Sequence, residues 1–377
     1  MRQGFLPRIE SMRGIAALTV VNYHTWGQFS DTPAAGALDA AAFYILKGLN
    51  GTAAVVGFFV ISGFVLARSL EANLKPGRYF RNRVFRLFPA AVAVVGLLAA
   101  LNKWFGIYVM AQGDFSAGNV VLNMLMIRTD INPVMWSMKV ECFATPLILL
   151  SAWLVQRDRT VWLWGMIAVL FLLSFWGPYV RALGDATNLA PLYAFIVGVL
   201  AQHYGRRLSL VPSSLVVSII AILSVVLFWY CGTRKQTAPI LLIECLCGAW
   251  LVASIAWRPV AIFQPLDFSV VRFYGKISYS FYLLHVLGML CATELFSLAR
   301  FPVTELPISI ATVTVTIASI LLVTPAAYLS WRFIEIPFIN FGKNIGPRLV
   351  QVPLPVTSEV ALKQTKALAK AERERLG

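Results

Sequence analysis

The sequence has little charge: Asp, Glu, Lys and Arg make up 13% of its 377 residues, against about 25% in a soluble domain. With 59% hydrophobic residues and a mean hydropathy of +0.74, the polar residues are too few to cover a water-soluble core. A soluble globule and a disordered chain are both excluded. Cysteine is sparse and odd in number: Cys142, Cys231, Cys245, Cys247 and Cys291 lie in apolar runs. That excludes a disulfide scaffold. Cys245 and Cys247 form C-x-C without a nearby His or second pair, so no metal is expected. No Gly/Ser-rich or Pro-rich linker and no internal repeat divides the chain.

What is present is a series of apolar runs near the 20 or so residues needed to cross a bilayer. Ten are read: Gly14 to Phe29, Thr52 to Leu70, Leu87 to Phe105, Val134 to Val155, Val161 to Gly177, Asn188 to Tyr204, Val211 to Tyr230, Ala238 to Trp257, Ile277 to Leu298 and Pro307 to Trp331. Asn119 to Ile127 is too short to span and reads as a surface or re-entrant piece. The expected fold is all-α, a polytopic membrane helix bundle with both termini cytoplasmic. Residues 1–341 form one transmembrane domain and 342–377 a basic cytoplasmic tail, helical from Ser358 to Leu376.

The net charge of +15 does not point to nucleic acid. With the amino terminus inside, 24 of the 32 Lys and Arg residues fall on the cytoplasmic side and seven on the other, with Lys139 inside a span. Topology alone asks for such a bias. Ala35-Gly36-Ala37 resembles a signal-peptidase site, but Asn22, His24, Trp26 and Gln28 interrupt the apolar approach to it. The first run is therefore read as a span. Trp162, Trp164 and Trp331 read as interfacial anchors.

Ionisable groups at span depth cost about 2.5–3.5 kcal/mol each on insertion scales, so each asks for a function or a partner. Two of the three histidines, His24 and His285, fall inside spans; His203 sits at a span end, where the interface explains it. His24 lies about 16 Å along a helix from Arg13, and His285 about 13 Å from Lys276, so both imidazoles are expected at one depth. Glu141 enters from the opposite side, about 10 Å deep. These three are the candidate reaction centre; the plainer alternative is hydrogen bonding between helices. Between the second and third spans, Arg78, Arg81, Arg83 and Arg86 alternate with aromatics, as in an interfacial helix. Topology and lipid contact account for that pattern, and so does recognition of a phosphate-bearing cytosolic ligand, with Arg13 nearby.

The motifs together resemble acyltransferase family 3, the integral-membrane O-acyltransferases of the O-antigen, exopolysaccharide and Nod-factor acetyltransferase type. Arg13 to His24 is similar to its R-x10-H signature, and Phe58-Phe59-Val60-Ile61-Ser62-Gly63-Phe64 to its Ser-Gly element. Arg83-Val84-Phe85-Arg86-Leu87-Phe88-Pro89 resembles the basic loop before its third helix. Trp136-Ser137-Met138-Lys139-Val140-Glu141 resembles its WSxxxE element, although the aromatic continuation is reduced to Cys142-Phe143-Ala144-Thr145-Pro146. Ser278 to His285 is similar to the late Tyr/His helix, and Arg332-Phe333-Ile334-Glu335-Ile336-Pro337 to the closing E-x-P. The glycan-esterase-like domain fused to some members is not expected here.

The resemblance implies an enzyme of the bacterial inner membrane that moves an acyl group, commonly acetyl, from cytosolic acyl-CoA to a hydroxyl of a surface or secreted glycan. It implies acyl-CoA as donor substrate, no tightly bound cofactor, and the glycan and the lipid bilayer as partners. Arg13, Arg83 and Arg86 would bind the donor. His24 would be general base, with Glu141 orienting it; a covalent acyl-His24 intermediate is the alternative route. His285, Tyr279 and Tyr282 would donate to the oxyanion or the sugar, with Ser137 in support. Ser62 reads as packing beside Gly63, Glu244 as a structural partner for Lys139, and Glu335 as an anchor of the last helix. A secondary transporter or flippase is the rival reading, since transporters also hold titratable groups at midplane.

Overall fold

The computed structural model describes residues 6–72, 74–110, 113–176, 192–210, 213–258 and 260–345. These form thirteen α-helices and no strand. In order they are α1 (Pro7–Gln28), α2 (Ala37–Lys47), α3 (Gly51–Ala72), α4 (Pro76–Phe105), α5 (Ala117–Met124), α6 (Trp136–Gln156) and α7 (Thr160–Leu173). Then come α8 (Leu192–Gly205), α9 (Ser214–Gly232), α10 (Ala238–Trp257), α11 (Ser269–Leu298), α12 (Ile308–Ser330) and α13 (Ile336–Asn344). Short 3-10 turns precede α6 and α11, and a π-helical turn, Trp331–Glu335, joins α12 to α13.

Seven helical stretches among the described residues are long and apolar enough to cross a membrane: Ala37–Glu71, Pro76–Phe105, Pro133–Gln156, Ser214–Gly232, Ala238–Trp257, Ser269–Leu298 and Ile308–Asn344. Three expected spans are missing from that set, each for a visible reason. The first lies in α1, whose Asn22, His24 and Gln28 lower its hydropathy. Its neighbours α3, α11 and α12 pack on it, so Asn22 and Thr25 are buried away from lipid, while Gln28 at its end is exposed. The expected spans Val161 to Gly177 and Asn188 to Tyr204 fall partly outside the described residues, and α7 and α8 have 14 residues each. The tail from 346 onward is also outside them. The proposed break after residue 341 falls within α13, which runs on through Asn344.

Glycines set the closest helix crossings. A Cβ on Gly63 would lie 2.1 Å from the Phe195 carbonyl oxygen, and one on Gly198 2.2 Å from that of Val60, so α3 and α8 meet backbone to backbone. Glu71 of α3 pairs with Arg206 just beyond α8. A nearly constant offset in residue number across these contacts makes the two helices parallel. α10 shares that direction: Asn50 donates to Glu244 at 2.9 Å near its start, while the Arg68 guanidinium lies 5.1 Å from the Trp257 ring at its end. Glu244, expected opposite Lys139, thus takes its hydrogen bond from the start of α3.

α4 is 30 residues long, about 45 Å. The Arg/aromatic segment expected to lie in the interface is its first three turns, continuous with the third span. α13 packs on this end, with Arg81 Nε donating to the Gly342 carbonyl at 2.8 Å. The short piece expected near Asn119 is α5, packed on α4, with Asn119 and Asn123 both donating to Asp130. Asp39 of α2 accepts from the Ile308 and Ser309 amides, capping the start of α12. Outside the spans, Asp267 accepts from Arg8 at 2.6 Å and Arg272 at 2.8 Å. Those bonds hold its carboxyl at about 2 and fasten the start of α1 to that of α11.

Candidate active site

Two parallel helices carry the site. A Cβ on Gly14 would lie 2.5 Å from the Gly275 amide nitrogen, and one on Gly275 2.4 Å from the Glu10 carbonyl oxygen, so α1 and α11 touch along their backbones. Ten residues further along each, the rings of His24 and His285 stand 5.2 Å apart, centroid to centroid, tilted by 31°. Equal spacing on both helices means they ascend together. The two imidazoles, expected at one depth, are neighbours.

Towards the helix starts lies a cavity of about 310 Å³ between α1, α3, α4, α6 and α11. Its charged lining is Glu10, Arg13, Arg83, Arg86 and Glu141. Arg83 Nη2 donates to Glu141 Oε1 at 2.6 Å, and Ser62 Oγ donates to the same oxygen at 2.8 Å. This ion pair is largely withdrawn from solvent, its side chains 7% and 14% exposed. Such a pair needs good geometry to offset its desolvation, and the added hydroxyl supplies part of that. Glu141 therefore holds Arg83 and Ser62; it hydrogen-bonds neither histidine. The role expected for it beside His24 is not the one its contacts describe.

The three hydroxyls expected to support an oxyanion are already engaged. Tyr279 donates to the Leu87 carbonyl at 2.5 Å, Tyr282 to that of Val134 at 3.0 Å, and Ser137 to the Tyr282 oxygen at 2.9 Å. They line the cavity and fix α11 against α4 and α6. Two buried donors there stay without a hydrogen-bond partner: Arg83 Nε and Ser278 Oγ. Ser278 and Ser62 lie inside the quoted motifs, yet neither was among the expected site residues. Ser62 was set down to packing, but Gly63 does the packing, and its neighbour, about 100° round the helix, faces Glu141.

The histidine pair adjoins the far end of this cavity through Tyr282, whose ring lies 5.6 Å from that of His285. His285 Nδ1 is 2.5 Å from the Tyr282 carbonyl oxygen. His24 is half-buried, packed edge-on against Tyr23 at 5.5 Å. No carboxylate touches either ring among the described residues. Glu335, in the π-helical turn, is buried and accepts from the Ser280 amide at 3.0 Å and its hydroxyl at 2.5 Å. It thus ties the last helices to the part of α11 that carries Tyr279 and Tyr282. Interruptions of this kind often mark functional regions.

A family model described as an acyltransferase domain matches residues 6–332. A Staphylococcus aureus (strain COL) protein named "Putative O-acetyltransferase" is 23% identical over 397 aligned residues, covering 94% of this chain and 61% of that protein. The chain thus spans under two thirds of that relative. "Nodulation protein 10" of Rhizobium leguminosarum bv. viciae is 23% identical over 323 residues, covering 76% of this chain and 83% of that protein. "Protein 2 in picA locus" of Rhizobium radiobacter is 33% identical over 97 residues, 24% of this chain and 43% of that one. No solved structure gives a significant match. The matched region runs from before α1 into the π-helical turn and takes in every residue of the cavity and of the histidine pair, and the chain belongs to acyltransferase family 3.

Proposed function

We propose that the protein is a membrane-embedded O-acyltransferase that moves an acyl group, acetyl in the simplest case, from cytosolic acyl-CoA to a hydroxyl of a cell-surface or secreted glycan. The observation that carries this reading is the pairing of a buried arginine cavity with an imidazole pair on the same two helices, Arg13 and His24 being about 16 Å apart. Coenzyme A joins phosphates to a reactive thioester through a long thin arm, and the two regions suit its two ends. Arg13 and Arg86 are the arginines offered to phosphate, since Arg83 is paired with Glu141. His24 has no hydrogen-bond partner among the described residues, which leaves a ring nitrogen for the acceptor hydroxyl. As that oxygen attacks the thioester carbonyl carbon, His24 takes its proton, a contribution typically of about 10²–10⁴-fold.

The helix directions favour ten crossings with the arginine end at the cytoplasmic face of the bacterial inner membrane. α3 and α8 are parallel, so an odd number of crossings separates them; α4 and α6 supply two and α7 the third. The parallel α1 and α11 obey the same parity. The relative named "Putative O-acetyltransferase" supports transfer of an acetyl group to an oxygen.

The experiment is release of free CoA from acetyl-CoA by purified protein in detergent, with an added polysaccharide supplying the acceptor hydroxyl. Release is expected from the intact chain, with a fall of about 10²–10⁴-fold in folded His24→Ala. Undiminished release by that variant removes the general-base role. No release by the intact protein removes the acyl-CoA reading and favours a transporter.

A further inference from the structure

The two imidazoles are not equivalent. His285 Nδ1 lies 2.5 Å from the backbone carbonyl oxygen of Tyr282, and a carbonyl oxygen only accepts. The hydrogen of the neutral ring is therefore on Nδ1. Nε2 carries a lone pair and no hydrogen, and it is buried without a hydrogen-bond partner. A ring held this way cannot donate to an oxyanion from Nε2, the part expected of it; it can only receive. The ring beside it is His24, at 5.2 Å, and Glu141, the carboxylate expected to orient that ring, is engaged with Arg83 and Ser62.

We infer that His285 is a positioning residue that takes a proton from His24 through Nε2, so that an imidazole occupies the place behind the base where a carboxylate usually stands. The inference rests on His24 being the general base. The acceptor oxygen bonds to the thioester carbonyl carbon while its hydrogen passes to one nitrogen of His24. The hydrogen on the other nitrogen of His24 moves to His285 Nε2. His285 is then imidazolium, its Nδ1 hydrogen still on the Tyr282 carbonyl. When the carbon–sulfur bond breaks, the proton returns through His24 to the sulfur, giving ester and free thiol and restoring both rings. The rings are 5.2 Å apart and tilted by 31°, and the relay asks His24 to turn about χ2, a broad torsion in histidine, so that a nitrogen faces Nε2. Catalytic hydrogen bonds commonly tighten in this way when substrate binds.

The test uses the intact protein in detergent with acetyl-CoA and the added polysaccharide acceptor, reading free CoA in mixtures of H2O and D2O. Two protons moving together give a bowed dependence of kcat on deuterium content; a straight line overturns the relay. His285→Gln keeps a polar acceptor but cannot take the proton. It is expected to lower kcat by about 10²-fold, leave KM for acetyl-CoA unchanged and straighten the plot. An unchanged kcat in the folded variant, or a loss confined to KM, also overturns it. Should the variant fail to fold, the isotope plot of the unaltered protein decides. Release lost in His24→Ala but untouched by His285→Gln sinks the relay alone, whereas no release by the intact protein sinks the general-base reading and the relay with it.

Discussion

The lower and upper halves of the α1/α11 pair differ in how they treat charge. Near Gly14 and Gly275 the surroundings hold Glu10, Arg13, Arg83, Arg86 and Glu141, all lining one cavity. Ten residues on, His24 and His285 stand 5.2 Å apart, with no hydrogen bond or ion pair to a carboxylate or guanidinium among the described residues. In the proposed reading the arginine cavity takes phosphate, and that needs fixed positive charge. A base that must accept and release a proton works with neutral imidazole, and nearby cations would hold it unprotonated. Spacing the two along helices keeps each from spoiling the other.

The sharpest disturbance of this division is Glu141→Ala. It leaves the Arg83 guanidinium buried without its partner, which costs about 3–5 kcal/mol in comparable pairs. A large fall in thermal unfolding temperature in detergent is expected. The double variant Arg83→Met with Glu141→Leu should recover most of that temperature, because hydrophobic replacements of buried pairs are often neutral or stabilising. If the single variant is as stable as the parent, the pair is not the internal clamp its geometry describes.

Arg86→Ala comes next. Loss of one charge-assisted hydrogen bond of about 1.5–3 kcal/mol should raise KM for acetyl-CoA by about 10–100-fold with little change in kcat. A fall in kcat alone would place Arg86 with the chemistry and erase the division. Gly14→Ala is the mildest, since overpacking costs about 1–3 kcal/mol. Its methyl meets the Gly275 backbone, so it should loosen both halves together, raising KM and lowering kcat in parallel steady-state measurements.

The helical content and most of the site's membership were legible because they follow from composition, spacing and motif. Arg13 and His24 lie on one helix, and rise per residue alone places them. His285 could be set level with His24 because the basic residues at the start of each span mark the same surface. What escaped were contacts between distant segments. Glu141 has Arg83 as its partner, 58 residues away, and no local pattern selects that arginine over His24. Ser62 was hidden by Gly63, whose helix-packing role is real and accounts for the same dipeptide. The engaged hydroxyls of Tyr279 and Tyr282 depend on carbonyls of α4 and of the turn before α6, which only the packed bundle brings near. α1, read as the first span, falls outside the apolar set for a related reason: its buried Asn22 and Thr25 face protein, and hydropathy assumes lipid.

The matching glycine contacts and matching histidines make α1 and α11 two rails laid at the same pitch. The distance between the arginine cavity and the histidine pair is then a property of helix rise, counted twice, and none of the intervening helices sets it. Adding one residue between Arg13 and His24 would advance that histidine by 1.5 Å and swing it by about 100° away from its partner. The separation of arginine cavity and imidazole pair is in this sense written in residue number, and it changes only when both rails are rewritten together.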